Sequence, residues 1–222
     1  MNRLKDIKVK VCGMRDSQNI KELFELAPDY MGMIFWAGSK RYVSEPIQLT
    51  KNTTTKLIGV FVDESIEIIL KKVHDFKLDG IQLHGKETAE FCQKLKTELS
   101  NRDSTPAFII KAFSVDESFD FSSIESYSFF CDYFLFDTKG IVPGGTGKTF
   151  SWKLLADYQL NTPYFLSGGI SEKHLNQLID FFESKASKHC VAIDLNSKFE
   201  QNIALKDIGQ LKRFIKTIQQ LS

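Results

Sequence analysis

Apolar residues recur along this chain in two alternating rhythms. Short dense runs stand at residues 9–12, 31–35, 57–62, 80–83, 108–113, 133–136, 164–166 and 191–193. Runs of that length, rich in β-branched and aromatic residues, read as strands buried on both faces. Between most of them the apolar positions spread to helical spacing. Ile20, Leu23, Phe24 and Ala27 follow the first run, and Ile66, Ile69, Leu70 and Val73 fall at i, i+3, i+4 and i+7 after the third. Phe91, Leu95 and Leu99 follow the fourth run, Leu175, Leu178, Ile179 and Phe182 the seventh, and Ile208, Leu211, Ile215 and Ile218 the last. A short helix is expected after Pro46, and another from Ser151, a candidate N-cap. Residues 116–130 are rich in serine and phenylalanine with weak periodicity, so the fifth helix should be short or irregular. Strict alternation implies parallel pairing. Eight units with no linker point to an α/β chain with a single (β/α)8 TIM barrel over residues 1–222. A doubly wound open sheet is the alternative.

The polar residues that interrupt this pattern cluster at one place in each unit. Cys12 ends the first run, His84 the fourth, Asp137 the sixth, Ser167-Gly168-Gly169 the seventh and Asp194 the eighth. In a barrel these are C-terminal strand ends, the face that carries active sites, and the loops after strands seven and eight commonly hold phosphate. Asn196 and Ser197 follow the eighth run. A glycine-rich loop after Asp137, containing Gly144, Gly145 and Gly147, adds a third wall. Glycines let backbone N–H groups approach an anion, and a helix start favours it. Gly147-Lys148-Thr149 resembles the end of a P-loop, but Val142 stands where that motif needs glycine, and Phe150 breaks the dinucleotide fingerprint. A phosphorylated small molecule is therefore the expected ligand.

Each chemical candidate has a plainer reading. Cys12 is a base or nucleophile, or a buried small hydrophobe. Asp137 is an acid, or caps a turn. Lys111 is a Schiff-base nucleophile for a sugar-phosphate aldolase, or a paired charge at a strand end. Arg41, beside Ser39, grips a carboxylate or sits on the surface. Gln82 and His84 alternate with Ile81 and Leu83, so they line the site or satisfy each other. A nucleotide-binding module built on the glycine loop is the competing class.

Composition narrows the field further. The net charge is +1, too balanced for a nucleic-acid surface. Cys12, Cys92, Cys131 and Cys190 form no C-x-x-C pair, and the four histidines are dispersed, so no metal-ligand spacing emerges. Free thiols suit a reducing compartment. The start lacks a signal peptide's apolar core, and no run is long enough to span a membrane. A cytoplasmic protein is expected, with oligomeric state open and a monomer favoured.

Seven stretches carry a resemblance. They are Val9-Lys-Val-Cys-Gly-Met14, Ser39-Lys-Arg-Tyr-Val43, Gly59-Val-Phe-Val-Asp63, Gly80-Ile-Gln-Leu-His-Gly85, Phe136-Asp-Thr138 with Gly144-Gly-Thr-Gly-Lys-Thr-Phe150, Leu166-Ser-Gly-Gly169 and Ala192-Ile-Asp194. In order and spacing the chain resembles the phosphoribosylanthranilate isomerases over essentially its whole length. That resemblance implies a (β/α)8 barrel catalysing an Amadori rearrangement in tryptophan biosynthesis without metal or organic cofactor. It implies Cys12 as general base, Asp137 as general acid, and Arg41 at the anthranilate carboxylate. Gly145, Gly147, Gly169 and the segment after strand eight would then hold the phosphate, with Gly144, Gly168, Gln82, His84, Asp194, Ser197 and Lys198 also toward the substrate. One departure stands out. Where the family often has Ser-Gly and then Val-Glu, this chain reads Asn196-Ser-Lys-Phe-Glu200. Lysine enters the left-handed region only at a cost of roughly 1–2 kcal/mol. Negative φ is therefore expected at Lys198, in a short helical turn from Ser197, with the ammonium in solvent.

Overall fold

The computed structural model describes residues 3–44, 47, 54–102, 106–138 and 152–221. The eight apolar runs become eight parallel strands. They are β1 (Lys8–Cys12), β2 (Tyr30–Ile34), β3 (Lys56–Phe61), β4 (Gly80–Leu83), β5 (Phe108–Val115), β6 (Tyr133–Thr138), β7 (Tyr164–Ser167) and β8 (Cys190–Leu195). They close in sequence order into a barrel, β8 pairing back onto β1 with Lys10 opposite Asp194.

Helices α1 (Ser17–Glu25), α2 (Ile66–Phe76), α3 (Ala89–Arg102), α4 (Leu175–Glu183) and α5 (Ile208–Gln219) cover the outside. Three begin at side-chain caps: Asp16 accepts from Asn19 N, Ser65 from Ile68 N and Asp207 from Gln210 N. The fifth unit has a 3-10 segment, Phe121–Phe129, in place of an α-helix, as its weak periodicity implied. After the glycine loop a 3-10 segment, Trp152–Asp157, takes the helical place. Ser151 and the stretch after Pro46 lie outside the described residues, apart from Ile47. After β8 the chain makes a 3-10 turn, Ser197–Phe199, and a small antiparallel pair, β9 (Glu200–Asn202) and β10 (Leu205–Lys206).

Two apolar layers hold this ring. Outward strand residues such as Val9, Val11, Leu57, Phe134, Phe136 and Ile193 pack against the helices. Inward ones, among them Tyr30, Ile58, Ile110, Leu135 and Phe165, fill the barrel itself. A carboxylate recurs at the floor. Asp29, Asp79 and Asp132, each just before an even-numbered strand, accept from the backbone N–H of Val9, Leu57 and Ile109 on the preceding strand at 2.8 Å. Those strand-start donors would otherwise have no ladder partner.

Candidate active site

Strand parity decides which side chains reach the barrel mouth, because successive residues point to opposite faces. On β1 Val9 and Val11 join the outer core, which leaves Lys10 and Cys12 facing inward. On β4 the outward pair is Ile81 and Leu83, so Gln82 and then His84 face the interior. Asp137 shares parity with Leu135, and Asp194 with Ala192. Cys12, Gln82, His84, Asp137, Gly168, Gly169, Asp194, Ser197 and Lys198 all line one cavity of about 490 Å³. Gly32 makes room for the sulfur: a Cβ there would lie 2.7 Å from Cys12 Sγ.

The acid side of the cavity is a chain of three groups. Gln82 Nε2 donates to His84 Nδ1 at 2.7 Å, leaving the ring proton on Nε2. That nitrogen lies 3.9 Å from Asp137 Oδ2. Gln82 Oε1 is buried with no hydrogen-bond partner among the described residues. Burial pushes the Asp137 carboxyl above its usual range, against the pull of His84. Burial likewise pushes the His84 imidazole down, against the pull of Asp137. Both shifts run in the direction that favours the neutral forms of this pair.

The Cys12 side is more heavily charged. Burial pushes the Cys12 thiol above its ordinary value, and the opposing pull of Lys10 does not outweigh it. Lys10 Nζ pairs with Asp194 Oδ1 at 3.0 Å, so Asp194 faces the cavity already engaged. Arg41 donates through Nε to Glu200 Oε1 at 2.7 Å and through Nη2 to Oε2 at 2.6 Å. The same Oε1 accepts from Lys206 Nζ at 2.6 Å, and Lys206 also donates to Asn196 Oδ1 at 2.7 Å. Burial works to raise the Glu200 carboxyl, but its hydrogen bonds from Arg41 and Lys206 outweigh that and hold it below the ordinary carboxylate value. Arg41 therefore already grips a carboxylate, that of Glu200. Ser39 Oγ accepts from Arg41 N at 3.1 Å and fixes the turn.

The third side of the cavity is backbone. Gly168 and Gly169 take φ of +99° and +68°, open to glycine at no cost. Lys198 is not among the positive-φ residues, lies in the turn that starts at Ser197, and is exposed. Gly144, Gly145 and Gly147 lie outside the described residues. Lys111 sits on the outward parity of β5 and is buried. Its Nζ pairs with Glu87 Oε2 at 3.1 Å and donates to the carbonyls of Leu83, Gly85 and Ala112. Turned from the mouth and fully engaged, it is no Schiff-base nucleophile.

Sequence reasoning missed part of this site. Ile34, Trp36, Val60 and Val62 form an apolar wall of the cavity. Lys10 was findable, because a lysine two residues before Cys12 on a strand shares its face. Glu200 and Lys206 had no local signal, since Glu200 meets Arg41 across 159 positions.

Fold and site together define a (β/α)8-barrel enzyme whose C-terminal rim gathers Cys12, His84, Asp137 and the Gly168-Gly169 turn around one cavity. The family model for N-(5'-phosphoribosyl)anthranilate isomerase matches residues 9–217. The protein of that name from Phocaeicola vulgatus is 42% identical over 212 residues, covering 96% of this chain and 98% of its own. The Thermotoga maritima phosphoribosylanthranilate isomerase structure superposes with a TM-score of 0.77 at 31% identity, covering 97% of this chain and 100% of its own. A phosphoribosylanthranilate isomerase solved with reduced 1-(o-carboxyphenylamino)-1-deoxyribulose 5-phosphate gives 0.76 at 28% identity, with the same coverage. The chain belongs to the N-(5'-phosphoribosyl)anthranilate isomerase family, and isomerase activity in tryptophan biosynthesis comes with that membership.

Proposed function

We propose that Asp137 and Cys12 carry the rearrangement of N-(5'-phosphoribosyl)anthranilate as general acid and general base. The carboxyl gives its proton to the ribose ring oxygen. The C1–O bond breaks, and the nitrogen lone pair forms a C=N bond, giving the open Schiff base. The Cys12 thiolate then takes the C2 proton. The C–H electrons form C1=C2, and the C=N electrons return to nitrogen. The resulting enol gains a proton at C1 and loses its hydroxyl proton, which leaves the ketose and restores both groups through solvent. The observation that carries this reading is geometric: Cys12 and Asp137 line one cavity at the strand ends, with His84 Nε2 3.9 Å from Asp137 Oδ2.

The substrate's two ends match the two sides of the cavity. The phosphate goes to Gly168-Gly169, the Ser197 turn and the loop of Gly144, Gly145 and Gly147. The aromatic ring goes to the wall of Ile34, Trp36, Val60 and Val62. Arg41 meets the anthranilate carboxylate by sharing its guanidinium with Glu200 or leaving it. Gln82 and His84 lie toward the ribose hydroxyls, where the unpartnered Gln82 Oε1 supports an acceptor role. The chain acts as one cytoplasmic catalytic unit without a cofactor, and as a monomer. No helix among the described residues is long and apolar enough to cross a membrane.

The test is turnover by purified protein, with the ketose product followed by NMR. In D2O the product should carry deuterium at C1, where the enol is protonated. Absence of turnover by the folded protein overturns the reading.

A further inference from the structure

The wall around Cys12 holds more charge than the proton transfers use. Lys10 lies two residues before Cys12 on the inner face of β1, fully buried, with Asp194 of β8 at 3.0 Å. Lys206 of β10 and Arg41, in the loop after β2, also act on the sulfur. Those two cations share Glu200 of β9. β2 sets Gly32 beside Cys12 and the inward Tyr30 beside Lys10. His84 and Asp137 face the cluster across the mouth. On the Cys12 side three cations meet two carboxylates, which leaves one positive charge unmatched. An unmatched buried charge is costly, and a thiolate at Cys12 matches it.

We propose that Lys10 is a positioning residue for the Cys12 base: its buried ammonium, anchored by Asp194, favours the thiolate that burial alone would disfavour. This rests on Cys12 being the base in the reaction above. The arrangement has a signature that a purely structural ion pair lacks. Lys10 attracts a thiolate, while its partner Asp194 repels one. The two halves of one salt bridge therefore act on the sulfur with opposite sign.

The experiment is alkylation of Cys12 by iodoacetamide across pH, with the modified peptide identified by mass. It needs no substrate, so it fails separately from the isomerase reading. Lys10→Met should move the alkylation midpoint up by about one pH unit or more, the usual effect of removing an adjacent charge. Asp194→Asn should move it down. Lys10→Arg should keep the wild-type midpoint. In turnover, Lys10→Met should lose about tenfold in kcat/KM near neutral pH, with the loss shrinking as pH rises. If Lys10→Met does not fold, Asp194→Asn alone decides. A midpoint in that variant that rises or stays put overturns the proposal, as does an equal shift in the same direction from both variants.

Discussion

At the scale of single residues, Asp137 trades stability for reactivity. Its carboxyl is raised above 3.8 by burial, so the folded state holds that proton more tightly than the unfolded chain. Stability is then present in acid and lost as pH rises from 3.8 through the raised value. Asp137→Asn should therefore melt at a higher temperature than wild type at alkaline pH, with the gap closing toward acid. The same variant and Cys12→Ser should each lose about 10²–10⁴ in turnover. Near-normal turnover in either folded variant removes that residue from the mechanism. Arg41 carries a second expectation. Arg41→Ala should weaken binding of the carboxylated substrate by roughly 1.5–3 kcal/mol. A product analogue lacking the carboxylate should bind both forms alike; an unchanged preference in the mutant rules the contact out. Because Glu200 keeps Lys206 as a partner, the variant should still fold.

Elements show what the sequence could and could not disclose. All eight strands were legible, because the barrel buries both faces and each strand becomes a dense apolar run. The irregular fifth segment was legible for the opposite reason, a lack of helical period. The floor carboxylates Asp29, Asp79 and Asp132 were not, since an aspartate before a strand reads equally well as a turn residue. Nor was the engagement of Arg41 and Asp194, because their partners come from distant units. The turn after β8 was read correctly as a short helical turn with negative φ at Lys198. On the proposed reading this turn meets the phosphate through backbone rather than through the exposed ammonium. Lys198→Gly should therefore change kcat/KM by less than about threefold, well under 1.4 kcal/mol. A much larger loss, concentrated in KM, would assign the phosphate to the side chain.

The whole molecule is strung on buried ion pairs from separate units. Lys111 on β5 meets Glu87 beyond β4, and Glu87 in turn accepts from the backbone N–H of Asp63 and Gly85. One pair thus ties the segments just after β3 and β4 to the middle of β5. Lys111→Met strands a buried carboxylate and should cost about 3–5 kcal/mol. For a chain of this size that lowers the melting temperature by about 6–20 °C, and a calorimetric scan showing no drop would deny the strut. The other long-range tie closes the ring. Asn19 of α1 accepts from Lys206 N at 2.7 Å and donates to its carbonyl at 3.0 Å, latching the first unit onto the last. This latch has a consequence for how the site comes together. Cys12 lies in the first unit, whereas Asp194, Glu200 and Lys206, which complete its surroundings, belong to the last. The charged setting of the thiol is therefore a product of ring closure, and any parting of the last unit from the first takes that setting apart.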